Sequence, residues 1–225
     1  KWGHDFRPSY QSVIQKVFTL PQNFTIVALT ATATAEVQQD IMSKLSIGQN
    51  DVVKTSTKRR NLIFKVNPTY QRQKFVVDYV ANHEGQAGII YCSTRKQVEE
   101  LHEALNNEKI KSTIYHAGLT NKERIEAQND FLYDRVEVVI ATNAFGMGID
   151  KSNVRYVIHY NMPGDLESYY QEAGRAGRDG LKSECILLFS ERDKGLHEYF
   201  ITVSQADEDY KDKMGEKLTK MLQYT

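Results

Sequence analysis

Residues 138–150 read Val-Val-Ile-Ala-Thr-Asn-Ala-Phe-Gly-Met-Gly-Ile-Asp, an apolar run ending at Thr142 and then a turn holding Gly146 and Gly148. A strand that stops in a glycine-bearing turn suits an open parallel sheet. Ligands there sit beyond the carboxyl ends of strands, where glycine lets backbone amides approach a phosphate. Similar runs occur at Phe24–Leu29, Ala87–Cys92, Val154–His159 and Cys185–Phe189, and the run quoted first extends back to Val136. None alternates polar with apolar, so each predicts a parallel strand covered on both faces. Between them, Phe75, Val76, Tyr79 and Val80 form one helical stripe, and Val98, Leu101 and Leu105 another. Thr94 with Gln97, and Thr120 with Glu123, have capping-box spacing and predict two helix starts. Strand alternating with helix implies a doubly wound α/β sheet.

Composition narrows the class without choosing a function. The 225 residues hold 29 Lys+Arg against 29 Asp+Glu, 26% charged and 40% hydrophobic, as in ordinary globular chains. No apolar stretch approaches the roughly 18 residues of a membrane span, and no basic-then-apolar leader opens the chain, so a cytoplasmic (bacterial nucleoid) or nuclear setting is expected. Cys92 and Cys185 lie far apart in apolar runs, which predicts buried reduced thiols and no metal site. Residues 1–60 carry eight Lys/Arg and four Asp/Glu, a surplus of +4 and a weak hint of polyanion contact.

The ends differ from the middle. Val13, Ile14, Val17 and Phe18 pattern as a helix, a strand follows, and Val37, Ile41 and Leu45 mark a second helix. That piece is too small to close a sheet. Lys54–Asn61 is polar and reads as a linker. Glu191–Phe200 and Asp209–Gln223 pattern as helices, the second with Tyr210, Met214, Leu218 and Leu222 on one side. A complete central α/β domain is therefore expected over 58–190, flanked by incomplete pieces at 1–57 and 191–225.

Seven of the 13 glycines fall between Gly118 and Gly180. Gly146-Met147-Gly148 cannot be a dinucleotide fingerprint, because the third glycine would have to stand at Lys151; a phosphate-binding turn or a plain tight turn both remain. Gln171-Glu172-Ala173-Gly174-Arg175-Ala176-Gly177-Arg178-Asp179-Gly180 says more. Two arginines three apart, each after glycine, would share one side of a helical turn, and arginine's fixed, always charged fork suits charge developing on a transferred phosphoryl group. The plainer alternative is a helix end salt-bridged through Glu172 and Asp179.

Here a resemblance becomes specific. Gln171–Arg178 resembles the sixth motif of superfamily-two helicases, in the form found in RecQ DNA helicases. Ala28-Leu29-Thr30-Ala31-Thr32-Ala33 resembles motif three, Ile89–Arg95 motif four and Ala141–Asp150 motif five, while Tyr115-His116-Ala117-Gly118-Leu119 matches a segment between the last two. Trp2-Gly3-His4-Asp5-Phe6-Arg7-Pro8 resembles the aromatic-rich loop that distinguishes RecQ.

The resemblance implies a RecA-like parallel sheet with helices on both faces, the second motor domain of an ATP-dependent 3′→5′ DNA helicase acting in recombination, repair and replication. Arg178 would be the arginine finger, with Arg175 and Gln171 beside it and Gly148 and Asp150 facing the nucleotide. Ser93, Arg95, His116, Gly118 and Thr142 would follow the backbone of single-stranded DNA, since amides and hydroxyls hold phosphates without reading bases. Trp2 and Phe6 offer faces for base stacking, with His4 and Arg7 beside them. Thr30 and Thr32, in motif three, would couple nucleotide state to movement.

The sequence contains no G-x-x-x-x-G-K-[ST] loop and no Asp-Glu pair at the end of an apolar strand. ATP and Mg²⁺ would thus be bound mainly by a first RecA-like domain lying upstream, whose tail would be 1–57. A zinc-binding helical subdomain would begin at 191–225, its cysteines and Zn²⁺ lying further on. The fragment alone is expected to be inactive, and the full protein a monomer acting on single strands and duplex junctions. Two rival readings are a non-catalytic nucleic-acid-binding α/β module and a DEAD-box-like RNA helicase domain. The DEAD-box motif begins with His where Gln171 stands, and that group lacks the aromatic loop.

Overall fold

In the computed structural model, residues 16, 19, 25–30, 35–54, 58–146, 149–204 and 206–225 are described, and the chain divides into two compact units, Lys1–Lys58 and Arg59–Thr225. The second unit contains β1 (Leu62–Pro68), α2 (Arg72–Ala81), β2 (Ala87–Tyr91), α3 (Arg95–Asn107), β3 (Ser112–Tyr115), α4 (Asn121–Leu132), β4 (Val138–Ala141), β5 (Val154–His159), α5 (Leu166–Ala173), β6 (Ser183–Phe189), α6 (Glu191–Val203) and α7 (Glu208–Tyr224). All pairings are parallel, in the order β1-β6-β5-β2-β4-β3.

The order explains which strands were legible. Every residue of β2 and β4 is buried, so their runs are apolar throughout. The edge strands β1 and β3 went unpredicted. Ser112-Thr113-Ile114-Tyr115 is half-buried along its length and β1 alternates in exposure, so neither presents a continuous apolar run.

Helices cover both faces. On one side Val76 and Val80 of α2 and Val98, Leu101 and Leu105 of α3 pack on Ile90, Ile140 and Ile158. On the other, Phe131 of α4 and Ala173 of α5 pack on Ile89, Tyr91, Val139 and Val157. Both predicted capping boxes are present, Thr94 with Gln97 and Thr120 with Glu123. The stripe expected on α7 shifts: Leu218 and Met221 are buried against Tyr169 and Leu187, while Tyr210 is exposed. Cys92 and Cys185 are buried free thiols, and burial pushes the Cys185 thiol up to about 12.

The described residues of the first unit include α1 (Ala35–Leu45) and a short 3-10 helix, Gln49–Asp51. The strand expected over Phe24–Leu29 is corrected: Thr25–Leu29 is not a strand, and Val27 and Leu29 are exposed; a strand needs a partner ladder, and none is supplied among the described residues. Phe24 and the helix expected around Val13–Phe18 lie outside the described residues, apart from Lys16, which is helical.

Two tight features hold the sheet. Asp193, 2% exposed, meets the Arg72 guanidinium with both oxygens and also accepts from Asn161 Nδ2 (3.3 Å) and the Met162 and Ser190 amides (both 3.3 Å), tying α2, the β5 exit and α6 together. In β2, a Cβ on Gly88 would lie 1.9 Å from the ring of fully buried Tyr156. Gly88→Ala is expected to lower stability by about 1–3 kcal/mol or more through overpacking, measured by urea denaturation.

Candidate functional site

Four of the six strands are joined to the next through one of the helices α2–α5, whereas β4 reaches β5 without one. Residues 142–153 leave the carboxyl end of β4, pass β2, which lies between the two strands, and return to the amino end of β5. The candidate residues gather at the two ends of this return.

At the carboxyl edge, neighbouring strands β2, β4 and β3 deliver Ser93 and Arg95, Thr142, and His116 and Gly118. The Ser93 amide donates to Asn161 Oδ1 (3.1 Å), and Asn161 is itself held by Asp193. Thr142 N–H donates to the Tyr115 carbonyl (3.1 Å), and its own carbonyl accepts from Phe145 N–H (3.0 Å). His116 is buried; its Nδ1 accepts from the Gly118 amide (3.2 Å) and its Nε2 faces Glu99 Oε1 at 3.6 Å. A Cβ on Gly118 would lie 2.9 Å from Arg95 Nη1, so this glycine leaves room for an exposed guanidinium. The edge thus offers a cation, a hydroxyl and small residues, a chemistry suited to a phosphate backbone.

The two arginines lie further along. Helix α5 ends at Ala173, and Gly177 adopts φ +56°, so Arg175 and Arg178 do not share a helical turn as the sequence suggested. A Cβ at Gly177 would meet Asn61 Nδ2 at 2.5 Å and Ser183 Oγ at 2.7 Å, which excludes side chains there as well. Both arginines instead reach the β4–β5 return. Arg175 Nη1 donates to the Gly146 carbonyl at 2.6 Å, and a Cβ on Gly146 would fall 2.1 Å from Arg175 Nη2. Arg178 Nη1 donates to the Ile149 carbonyl (3.0 Å) and to Asp150 Oδ1 (2.7 Å).

The alternative partners are engaged elsewhere: Glu172 pairs with His159 (2.9 Å) and Asp179 with Arg155 (2.6 Å). Arg175 is half-buried, and Tyr91 stands beside it with its hydroxyl donating to the Phe145 carbonyl (3.1 Å). Burial raises the Tyr91 pKa and the Arg175 charge partly opposes the rise. Arg178 differs, being held by an exposed pair whose Asp150 side chain is 88% accessible. Gln171, exposed on α5, donates to Glu167 Oε1 at 3.4 Å.

Trp2, His4, Phe6, Arg7, Thr32 and Gly148 lie outside the described residues, and Thr30 is exposed in the first unit. The described residues contain no group of three or more His, Cys, Asp or Glu able to hold a metal, and no helix long and apolar enough to cross a membrane.

Residues 71–180 match the family described as helicase conserved C-terminal domain. Over 224 residues the sequence is 46% identical to the ATP-dependent DNA helicase RecQ of Bacillus subtilis, covering all of this chain and 38% of that protein. The chain belongs to the RecQ helicase family. RecQ of Haemophilus influenzae is 42% identical over 193 residues (86% of this chain, 31% of that protein), and the helicase SGS1 of Saccharomyces cerevisiae 40% over 227 (99% and 16%). The chain therefore spans less than two-fifths of the length of these RecQ relatives. Yeast Dbp5 bound to Gle1 and IP6 superposes with a TM-score of 0.70 over 96% of this chain and 59% of that one, at 22% identity, which shows the RecA-like fold alone.

Sequence reading missed Arg59 and Asn61, which were assigned to a linker and instead bind the RecQ arginine segment. Their one signal was position, a cation and an amide directly ahead of the run that becomes β1. In the 225-residue chain, Gly146→Ala is expected to break the Arg175 bond. Hydrogen exchange across 142–150 should then accelerate while β2 and β4 amides stay protected.

Proposed function

We propose that this chain is the second motor unit of an ATP-dependent DNA helicase moving 3′→5′, with Arg178 as its arginine finger. The observation that carries the reading is the contrast between the two arginines. Both donate to a backbone carbonyl, but Arg175 is half-buried, whereas Arg178 is exposed and also meets a solvated carboxylate. Exposed pairs of that kind contribute about 1 kcal/mol or less, so Arg178 can exchange Asp150 for a phosphate at small cost.

ATP with Mg²⁺, held mainly by a phosphate-binding loop outside these 225 residues, supplies the charge that develops on the transferred phosphoryl group. Arg178 stabilises that charge, Arg175 fixes the backbone from which the loop to Asp150 and Gly148 departs, and Gln171 lines the approach. Ser93, Arg95, His116, Gly118 and Thr142 follow one strand of DNA. Trp2, His4, Phe6 and Arg7 stack on and steady its bases, and Thr30 and Thr32 relay the nucleotide state. The 142–150 segment links strand and nucleotide directly, since Thr142 begins it and Asp150 ends it. The domain limits 1–57, 58–190 and 191–225, a zinc site in the longer protein and a monomeric motor belong to the same reading, as do roles in recombination, repair and replication. RecQ relatives at 46% and 42% identity favour DNA over the RNA substrate of a DEAD-box domain.

In the assembled helicase, Arg178→Ala is expected to lower kcat for ATP by about 10³-fold or more with single-strand affinity unchanged; intact hydrolysis would refute the assignment. The 225-residue chain alone is expected to show no ATP turnover. Its log–log salt dependence for single-stranded DNA should be about 0.7 per phosphate neutralised, and Arg95→Ala should flatten it by about one contact.

A further inference from the structure

Residues 174–182, between α5 and β6, belong to no helix or strand, yet they carry both arginines of the site. An irregular segment keeps its shape only if its backbone polar groups find partners. Here two side chains more than a hundred residues earlier reach four of its carbonyls, those of Gly174, Ala176, Gly177 and Leu181. Arg59 donates through Nη1 to the Gly174 carbonyl (3.2 Å) and through Nη2 to the carbonyls of Ala176 (3.0 Å) and Gly177 (2.6 Å). Asn61 Nδ2 donates to the Gly177 and Leu181 carbonyls at 2.8 and 2.9 Å, and its Oδ1 lies 3.4 Å from Arg59 Nε. Gly177 fits because it lacks a Cβ, and its amide is held by the Val154 carbonyl at 2.8 Å. The three carbonyls bound by Arg59 bracket Arg175 and end one residue before Arg178.

We infer that Arg59 and Asn61 are positioning residues for the arginine pair. Both residues and the segment they bind lie within the second unit. Neither residue needs to approach nucleotide. A planar fork with five donors can span three carbonyls, which a lysine ammonium cannot reproduce in the same geometry. Displacing a charged group by about an ångström costs on the order of 100-fold in rate, so loosening the clamp should appear in turnover before binding.

The inference rests on Arg178 acting at the nucleotide, and the test separates the two. In the assembled helicase, Arg59→Ala and Arg59→Lys are compared with Arg178→Ala and with Leu105→Val, a core change on the opposite sheet face that controls for lost stability. Arg59→Ala is expected to lower kcat roughly 10- to 100-fold with KM for ATP and single-strand affinity unchanged, and Arg59→Lys to rescue little. In the 225-residue chain, Arg59→Ala should accelerate hydrogen exchange at 174–181 while β2 and β4 stay protected, and Leu105→Val should not. If Arg178→Ala abolishes turnover but Arg59→Ala does not, or if Arg59→Ala loses activity only in proportion to melting temperature, the clamp is refuted. If Arg178→Ala leaves turnover intact, the finger assignment fails, and faster exchange at 174–181 would still establish the clamp as a structural anchor.

Discussion

The Gly146 carbonyl accepts Arg175 Nη1 at 2.6 Å, and the arrangement of both ends of the site depends on that bond. The β4–β5 return has no helix to hold it against the sheet. It relies on Phe145 and Ile149 buried in the core and on carbonyls donated to by Tyr91, Arg175 and Arg178. A hydrogen bond from a charged donor contributes about 1.5–3 kcal/mol, roughly twice a neutral one, and leaving the partly buried guanidinium unpaired would cost more. The absence of a Cβ at Gly146 is what admits the guanidinium. Gly146 therefore admits one of the bonds joining the return to the arginine segment, beside those of Arg178 to Ile149 and Asp150.

Burial separates two arginines that look equivalent in sequence. Each follows a glycine and each reaches a carbonyl of the return, but Arg175 is half-buried beside Tyr91, whereas Arg178 is more exposed and also meets the solvated Asp150 carboxylate. The more a cation is buried, the more firmly it is committed to its partner, and the more exposed one exchanges partners at smaller cost. Two arginines three residues apart thus differ in how firmly each is held. The sheet supplies the rigidity this division needs, with Asp193 joining α2, α6 and the β5 exit and, through Asn161, fixing the Ser93 amide at the carboxyl edge.

The buried centre of the fold was plain in the sequence, and its margins were not. Strands β2, β4 and β5 announce themselves because both faces are covered, and Thr94 and Thr120 announce α3 and α4 because a capping box is a local hydrogen-bond pattern. The edge strands β1 and β3 carry half-polar sequences, and no local rule separates them from loops. The family resemblance grouped Ser93, Arg95, His116, Gly118 and Thr142, which lie at one edge, and Arg175 and Arg178, which lie on one segment. It did not show that Gly177 turns left-handed between the arginines, or that Glu172 and Asp179 pair with His159 and Arg155. Nor could it show that Arg59 and Asn61 bind carbonyls over a hundred residues away, because side-chain to backbone bonds of that span leave no periodic trace.

The central claim is that one segment, from Thr142 to Asp150, carries both the strand contact and the response to nucleotide. A double-mutant cycle between Thr142→Ala and Arg178→Ala, read in DNA-stimulated ATP turnover of the assembled helicase, tests it most directly. Positions without shared partners normally add to within about 0.3–0.5 kcal/mol, so a shared segment predicts a coupling of roughly 0.5–3 kcal/mol. Strict additivity of the two losses would contradict the account.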